Sequence, residues 1–249
     1  MSRILLEIDA HVATLTLSRP EALNALDQQL LHEFEQAIRE VNTSSATVLV
    51  TRGMGKSYSA GSDLKELADC SASEAARLEG EHARVFEMLD DLPQLTIAAW
   101  RGHVLGGGMF LGVYHDFRIA SQAVQIRLPE VPLGWPPPWG NSRLVELVGY
   151  PAAKRLLFID DNLDGADAQN IGLVDQCWPD DEFDQQSEFW IECLANRSPA
   201  ALTETKALLL EMRSLDHRHW DRRACDAFAR CYDTAEARVS VSRFVRKQE

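Results

Sequence analysis

Two short segments, SAGSDL (residues 59–64) and LGGGMF (residues 105–110), each stand between a strand-like run and a helix-like one. This recurrence constrains the fold more than any other feature of the chain. Glycine inside a helix or strand costs about 1 kcal/mol relative to alanine, so three in a row are kept where the backbone turns sharply or comes close to another group. The run alone suits a tight turn as well as a ligand-binding loop. The repetition gives a physical reason for the second reading. Both loops would present unpaired backbone N–H groups at the positive end of a helix, where developing negative charge is stabilised.

The flanking pattern is α/β. Residues 3–8 and 12–17 alternate apolar and polar side chains and predict a hairpin. Leu30, Leu31, Phe34, Ala37, Ile38 and Val41 recur at helical spacing. ATVLVTRG and LTIAAWRG read as strands, and the glycine run is placed directly after the second of these. Asp63 followed by Glu66 predicts a capping box, with a helix over 74–91 beyond it. FRIAS and VQIRL read as strands, RLVELVGYPAAKRLLF as one or two helices, and DGADAQNIGLVDQCW as helix, turn and strand. From about residue 181 the pattern is helical, with a Ser-Pro start before AALTETKALLLEM. Strands alternating with helices and then helices alone imply an α/β core over 1–180 and a helical region over 181–249.

Composition removes several function classes. The 249 residues are 45% apolar, enough for a sizeable core, yet no apolar run reaches the eighteen or so residues that span a bilayer. The first residues alternate like strands and lack signal-peptide order, so a cytoplasmic location without membrane attachment is the expectation. Five cysteines include no CxxC pair and seven histidines no HxxxH or HExxH pair, which argues against a disulfide framework or a metal site. A net charge of −13 argues against nucleic acid as a partner but allows a small anionic ligand held by backbone amides.

LTLSRPEALNALD, SYSAGSDLKEL, GHVLGGGMFLGVYHDFRIAS and LPEVPLGWPPPWGNSRLVELVG resemble, in order and spacing, successive motifs of the enoyl-CoA hydratase/isomerase (crotonase) family, and GADAQNIGLVDQ continues the likeness. The resemblance implies a crotonase-like spiral of repeated ββα units with a helical C-terminal trimerisation region, assembled as a homotrimer or hexamer. It also implies an acyl-CoA thioester as substrate, with coenzyme A present only as part of that substrate and no separate cofactor.

By the same resemblance, the backbone amides of Ser62 and Gly107 form an oxyanion hole for the thioester carbonyl. Ala22, Leu23, Ala60, Asp63 and Leu64 match the backbone that lies against CoA, with helix capping an equal alternative for Asp63. Hydratases of the family carry two glutamates. The second matches Glu130, which without the family context reads as a solvated loop residue; the first falls at Phe110. A carboxylate in an apolar pocket has a raised pKa and can take and return a proton. Trp135 and Trp139 are placed on the wall of the acyl pocket, with core packing as the alternative, and Phe110 adds a third aromatic surface. Pro137 and Pro138 stand where dehalogenase and dienoyl-isomerase relatives have an aspartate, which excludes those two activities.

Isomerisation of a 3-enoyl-CoA to a 2-enoyl-CoA, or single-glutamate hydration of a 2-enoyl-CoA, follows from the kept Glu130. A hydratase-lyase acting on an aromatic acyl-CoA and a non-catalytic acyl-CoA-binding protein are the alternatives.

Overall fold

The computed structural model describes residues 2–212 and 217–246. Strands β1 (Ile4–Asp9) and β2 (Val12–Leu17) form the predicted antiparallel hairpin, from Ile4 opposite Leu17 to Asp9 opposite Val12. Helix α1 (Gln28–Asn42) starts at Asp27, whose side chain accepts from the Leu30 N–H at 2.7 Å. That cap satisfies one of the first-turn donors that a helix leaves unpaired. Its buried face is the predicted set Leu30, Leu31, Phe34, Ala37, Ile38 and Val41.

Three units then follow the same plan. The first has β3 (Val48–Gly53), β4 (Ser57–Ser59), α2 (Leu64–Ala68) and α3 (Ala72–Glu87). The second has β5 (Leu95–Trp100), β6 (His103–Leu105) and α4 (Gly107–Val113). The third has β7 (Phe117–Ser121), β8 (Gln125–Arg127), α5 (Glu130–Leu133) and α6 (Asn141–Ile159). In each unit the first strand joins a six-stranded sheet and the second joins a three-stranded one. The orders are β1-β2-β3-β5-β7-β9 and β4-β6-β8, where α7 (Gly165–Asn170) precedes β9 (Gln176–Trp178). All pairings except β1 with β2 are parallel. The chain therefore winds as a spiral of ββα turns, the crotonase fold.

Two local expectations are corrected. The glycine run does not follow β5 directly, because the short strand β6 intervenes and brings the run beside β4 and β8. Asp63 does cap α2, accepting from the Lys65 N–H at 2.9 Å, but Glu66 accepts from the Gln28 N–H at 3.0 Å instead of closing a box. The reciprocal capping box belongs to Ser71 and Glu74, and it starts α3 as a separate helix. Within α6, Gly149 (φ +70°) breaks the helical path just before Pro151. A positive φ there costs glycine little and separates two helical pieces.

The C-terminal helices are α8 (Phe183–Ala195), α9 (Pro199–Met212), α10 (His217–Tyr232) and α11 (Ala235–Arg246). Phe183 and Ala195 of α8 pack against Val48, Val50, Ile97 and Ile119 of the six-stranded sheet. Phe228, Tyr232, Ala237 and Val241 of α10 and α11 share a buried cluster with Leu67, Leu78 and Trp135. The last two helices thus lie over the α2–α3 side of the spiral in the same chain. No described helix is long and apolar enough to cross a membrane.

Candidate active site

The two glycine-bearing loops meet. Leu26 N–H donates to Gly61 O at 2.8 Å and Asp63 N–H to Leu26 O at 3.1 Å, so the chain at Ser62 is extended beside Leu26. Successive amides of an extended chain face opposite sides, which directs the intervening Ser62 N–H away from Leu26. Gly107 is the first residue of α4, where a helix has no internal acceptor for the N–H. Among the described residues neither amide has a protein acceptor. A Cβ built on Gly107 would lie 3.3 Å from Ser62 N and 3.2 Å from Trp139 Cζ2, so the two donors border one small space walled by an indole.

The three glycines have separate reasons. Gly106 has φ +47°, and a Cβ there would come within 2.6 Å of Glu130 Oε1. Gly108 lies against Ser59, whose carbonyl oxygen would be 2.6 Å from an added Cβ. Gly107, the residue with the proposed oxyanion donor, is sterically the least demanding of the three. Gly61 completes the junction, since a Cβ on it would be 2.9 Å from Gly107 N.

Glu130 opens α5, and its side chain reaches the Gly106 backbone that directly precedes the Gly107 donor. It is buried rather than solvated, and its Oε2 is enclosed without a hydrogen-bond partner. Burial, with a smaller contribution from the nearby negative charges of Glu79 and Asp160, pushes its pKa up to about 8 against the opposing hydrogen bond from its own amide. A carboxyl group held near neutrality beside two free amides can move a proton at a carbon next to a carbonyl.

Phe110 and Trp139 stand together, with ring centroids 5.7 Å apart, and Phe110 is also packed against Gly140, where an added Cβ would be 2.4 Å from Cδ1. Trp135 does not join them. Its ring partners are Phe228 at 5.8 Å and Tyr232 at 5.4 Å, under α10. The WPPPW segment sends its two indoles into different buried clusters, so a single aromatic wall of three residues is not what the chain builds.

Trp139 is held from several sides. Its Nε1 donates to Glu79 Oε2 at 2.7 Å, His82 stacks on it at 6.1 Å and 5°, and Phe86 and Tyr114 flank it. Asp221 of α10 accepts from the following Gly140 N–H at 2.9 Å and from Tyr114 Oη at 2.8 Å. Burial raises the Asp221 pKa. Glu79, His82 and Asp221 were absent from the sequence reading. Glu79 and His82 fall on the same α3 stripe as Ala75, Leu78 and Phe86, so a charged and a titratable residue at core spacing was the available signal.

The residues matched to CoA contact also converge. The turn at Ala22 and Leu23 is tied to the second loop by the Ala60 N–H to Leu23 O bond at 2.9 Å. Leu23 and Asn24 both have left-handed backbones, φ +51° and +55°. The Asp63 carboxylate caps α2 and pairs with Arg19, while Leu64 is half-buried as the first residue of that helix. For Asp63 the structure thus supplies the capping role. A cleft of about 1140 Å³ lies elsewhere, between a face of the six-stranded sheet and α8, and none of the catalytic candidates lines it. Among the described residues no group of three His, Cys, Asp or Glu side chains could hold a metal ion.

Over residues 7–249 the chain matches the family described as Enoyl-CoA hydratase/isomerase. It is 31% identical over 252 residues to the short-chain-enoyl-CoA hydratase of Clostridium acetobutylicum, covering 100% of this chain and 97% of that protein. Against the crotonyl-CoA hydratase of Syntrophomonas wolfei the identity is 32% over 249 residues, with 99% and 96% covered. Among solved structures, Pseudomonas aeruginosa DspI superposes with a TM-score of 0.81 at 30% identity over 99% of this chain and 95% of that one. An enoyl-CoA hydratase from Mycobacterium avium subsp. paratuberculosis gives 0.88 at 20% identity over 97% and 98%, a likeness of fold.

Proposed function

The chain belongs to the enoyl-CoA hydratase/isomerase family and is an acyl-CoA enzyme, and from that premise we propose that it hydrates a short-chain 2-enoyl-CoA. The thioester oxygen accepts from the Ser62 and Gly107 amides, which stabilise the enolate formed as water adds at C3. Glu130 delivers the proton to C2. The observation that carries this reading is the buried Glu130 carboxyl against Gly106, next to a donor without a protein acceptor. A pKa pushed up to about 8 keeps the group able to give a proton at neutral pH and to take it back in the reverse direction.

Hydration is preferred because both full-length relatives above are named as hydratases of short enoyl-CoAs. Isomerisation of a 3-enoyl-CoA is the second reading. Phe110, sealed against Trp139 and Gly140, is the observation in its favour, since it stands where a second carboxylate would follow the glycines. CoA enters as part of the substrate, along the Ala22–Leu23 turn and the Ala60–Leu64 loop. We also propose self-association as a trimer or hexamer, supported by the exposed apolar residues Phe189, Leu208 and Leu209 on α8 and α9. Sedimentation of the purified chain tests it.

The deciding experiment incubates the protein with crotonyl-CoA, a 3-enoyl-CoA and an aryl-acryloyl-CoA and follows products by mass and chromatography. Hydration adds one water, isomerisation keeps the mass and changes retention, and a lyase releases an aldehyde and acetyl-CoA. No turnover of any of the three overturns the reading.

A further inference from the structure

Hydration needs a group for the water as well as one for C2, and the residue after the glycines is a phenylalanine. Glu79 is a carboxylate that the assignment so far leaves unused. It is 2% exposed, and its described polar partner is a neutral one, the Trp139 indole N–H at 2.7 Å. No described cation pairs with it, so this buried carboxyl group lacks the partner that such groups ordinarily have. The indole places it. Nε1 and Cζ2 are both bonded to Cε2, so the ring edge that holds Glu79 adjoins the edge lying 3.2 Å from a Gly107 Cβ.

Two further features mark the same region. His82, one turn along α3 and stacked on that indole, has Nδ1 at 3.0 Å from Leu78 O, while its Nε2 is enclosed and unpartnered. Glu130 Oε2, on the carboxyl group against Gly106, is also enclosed and unpartnered. Buried polar atoms are nearly always hydrogen-bonded, and a small polar molecule that both donates and accepts satisfies groups of this kind. The negative charge of Glu79 is also felt at Glu130, which sets the two carboxyls in one electrostatic site.

We propose that Glu79 is the second carboxylate of the reaction centre, supplying from α3 the water-activating group that Phe110 cannot. The inference rests on the hydratase reading above. The water oxygen forms the bond to C3 as its proton passes to Glu79. The C2–C3 π pair moves toward the thioester oxygen held by Ser62 and Gly107. Glu130 then gives its proton to C2, and the proton on Glu79 returns to Glu130, so one water is consumed and both carboxyls are restored.

Two assays separate Glu79 from Glu130. Hydration of crotonyl-CoA needs both groups, whereas exchange of the C2 hydrogens of butyryl-CoA with deuterated water needs the oxyanion donors and Glu130 alone. Glu79→Gln, which keeps an oxygen for the indole N–H, is expected to lose at least ~100-fold in hydration and to exchange within about threefold of wild type, whereas Glu130→Gln loses both. Glu79→Asp must show the same split if the glutamine variant melts early. Hydration by Glu79→Gln within about threefold of wild type overturns the proposal, as does an equal loss of both activities in a folded variant. A wild type that neither hydrates nor exchanges overturns the hydratase reading itself, and the role of Glu79 falls with it.

Discussion

The two walls of the site are built from different materials. One is main chain: Ser62 and Gly107 offer amides, and Gly106 allows the close approach of Glu130. The other is side chain: Trp139, Glu79 and His82, with α10 behind them, form a packed group in which each ring or carboxylate is fixed by a partner far away in sequence. The backbone wall is legible locally, because three glycines at a strand-to-helix junction mark where the chain turns through a conformation closed to other residues or approaches another group. The side-chain wall exists only after the spiral has brought α3 beside the WPPPWG segment and α10 has closed over both.

The largest effect should come where the walls meet. Glu130→Gln is expected to lower hydration by at least ~100-fold while binding persists, measured by steady-state kinetics and acyl-CoA titration. In the wild type, the rate should fall as pH rises through about 8, because the group that protonates C2 becomes ionised. The same variant should be the more stable protein at alkaline pH. A carboxyl with a folded pKa near 8 and an ordinary unfolded one holds its proton in the folded state alone between about pH 4.5 and 8, so wild-type stability declines across that window. The difference reaches a few kcal/mol by pH 8 and vanishes below the unfolded pKa. Thermal melts of both proteins at pH 5 and pH 8 measure it, and parallel shifts would contradict a buried, raised Glu130.

Next in size is the backbone wall. Gly107→Val would put a branched side chain against Ser62 N and the Trp139 ring, displacing a donor worth on the order of 3 kcal/mol of barrier, or about a hundredfold in kcat. A folded variant with normal turnover would reduce the glycine run to a turn.

The side-chain wall should respond in stability. Trp139→Phe keeps an aromatic ring but removes the N–H and the rest of the indole bicycle, leaving buried Glu79 without its described partner at a cost of about 1–3 kcal/mol on top of the packing lost with the smaller ring. Urea unfolding of Trp139→Phe, Glu79→Gln and the double variant tests the coupling. Additive losses would mean that the hydrogen bond contributes nothing.

The smallest effect has the opposite sign. Gly80, in the middle of α3, has nothing within 4 Å of an added Cβ. Gly80→Ala should stabilise the protein by about 0.5–1 kcal/mol through helix propensity alone, without changing activity. A loss of activity in this variant would show that α3 must bend or approach a ligand at that point.

The sequence by itself determined the alternating core, the hairpin, the apolar face of α1 and the two loops that bear the proposed oxyanion amides. The first three depend on neighbours within a few residues, through strand alternation or helical spacing, whereas the glycines mark the loops although the atoms that exclude a Cβ there, on Ser59 and Glu130, are distant in sequence. It also singled out Glu130 and Phe110, through the resemblance of their motifs. Only the tertiary structure decided which aromatic residues share a wall, sending Trp139 to Phe110 and Trp135 to Phe228 and Tyr232. It alone turned Glu66 away from Asp63 toward Gln28. It decided what Glu79 meets inside, where α3 read as a sequence shows a glutamate at core spacing but not the indole that partners it. The physical reason is range: local sterics and periodicity act along the chain, whereas the burial of a carboxylate and the partner of an indole are set by segments that meet only when the spiral closes.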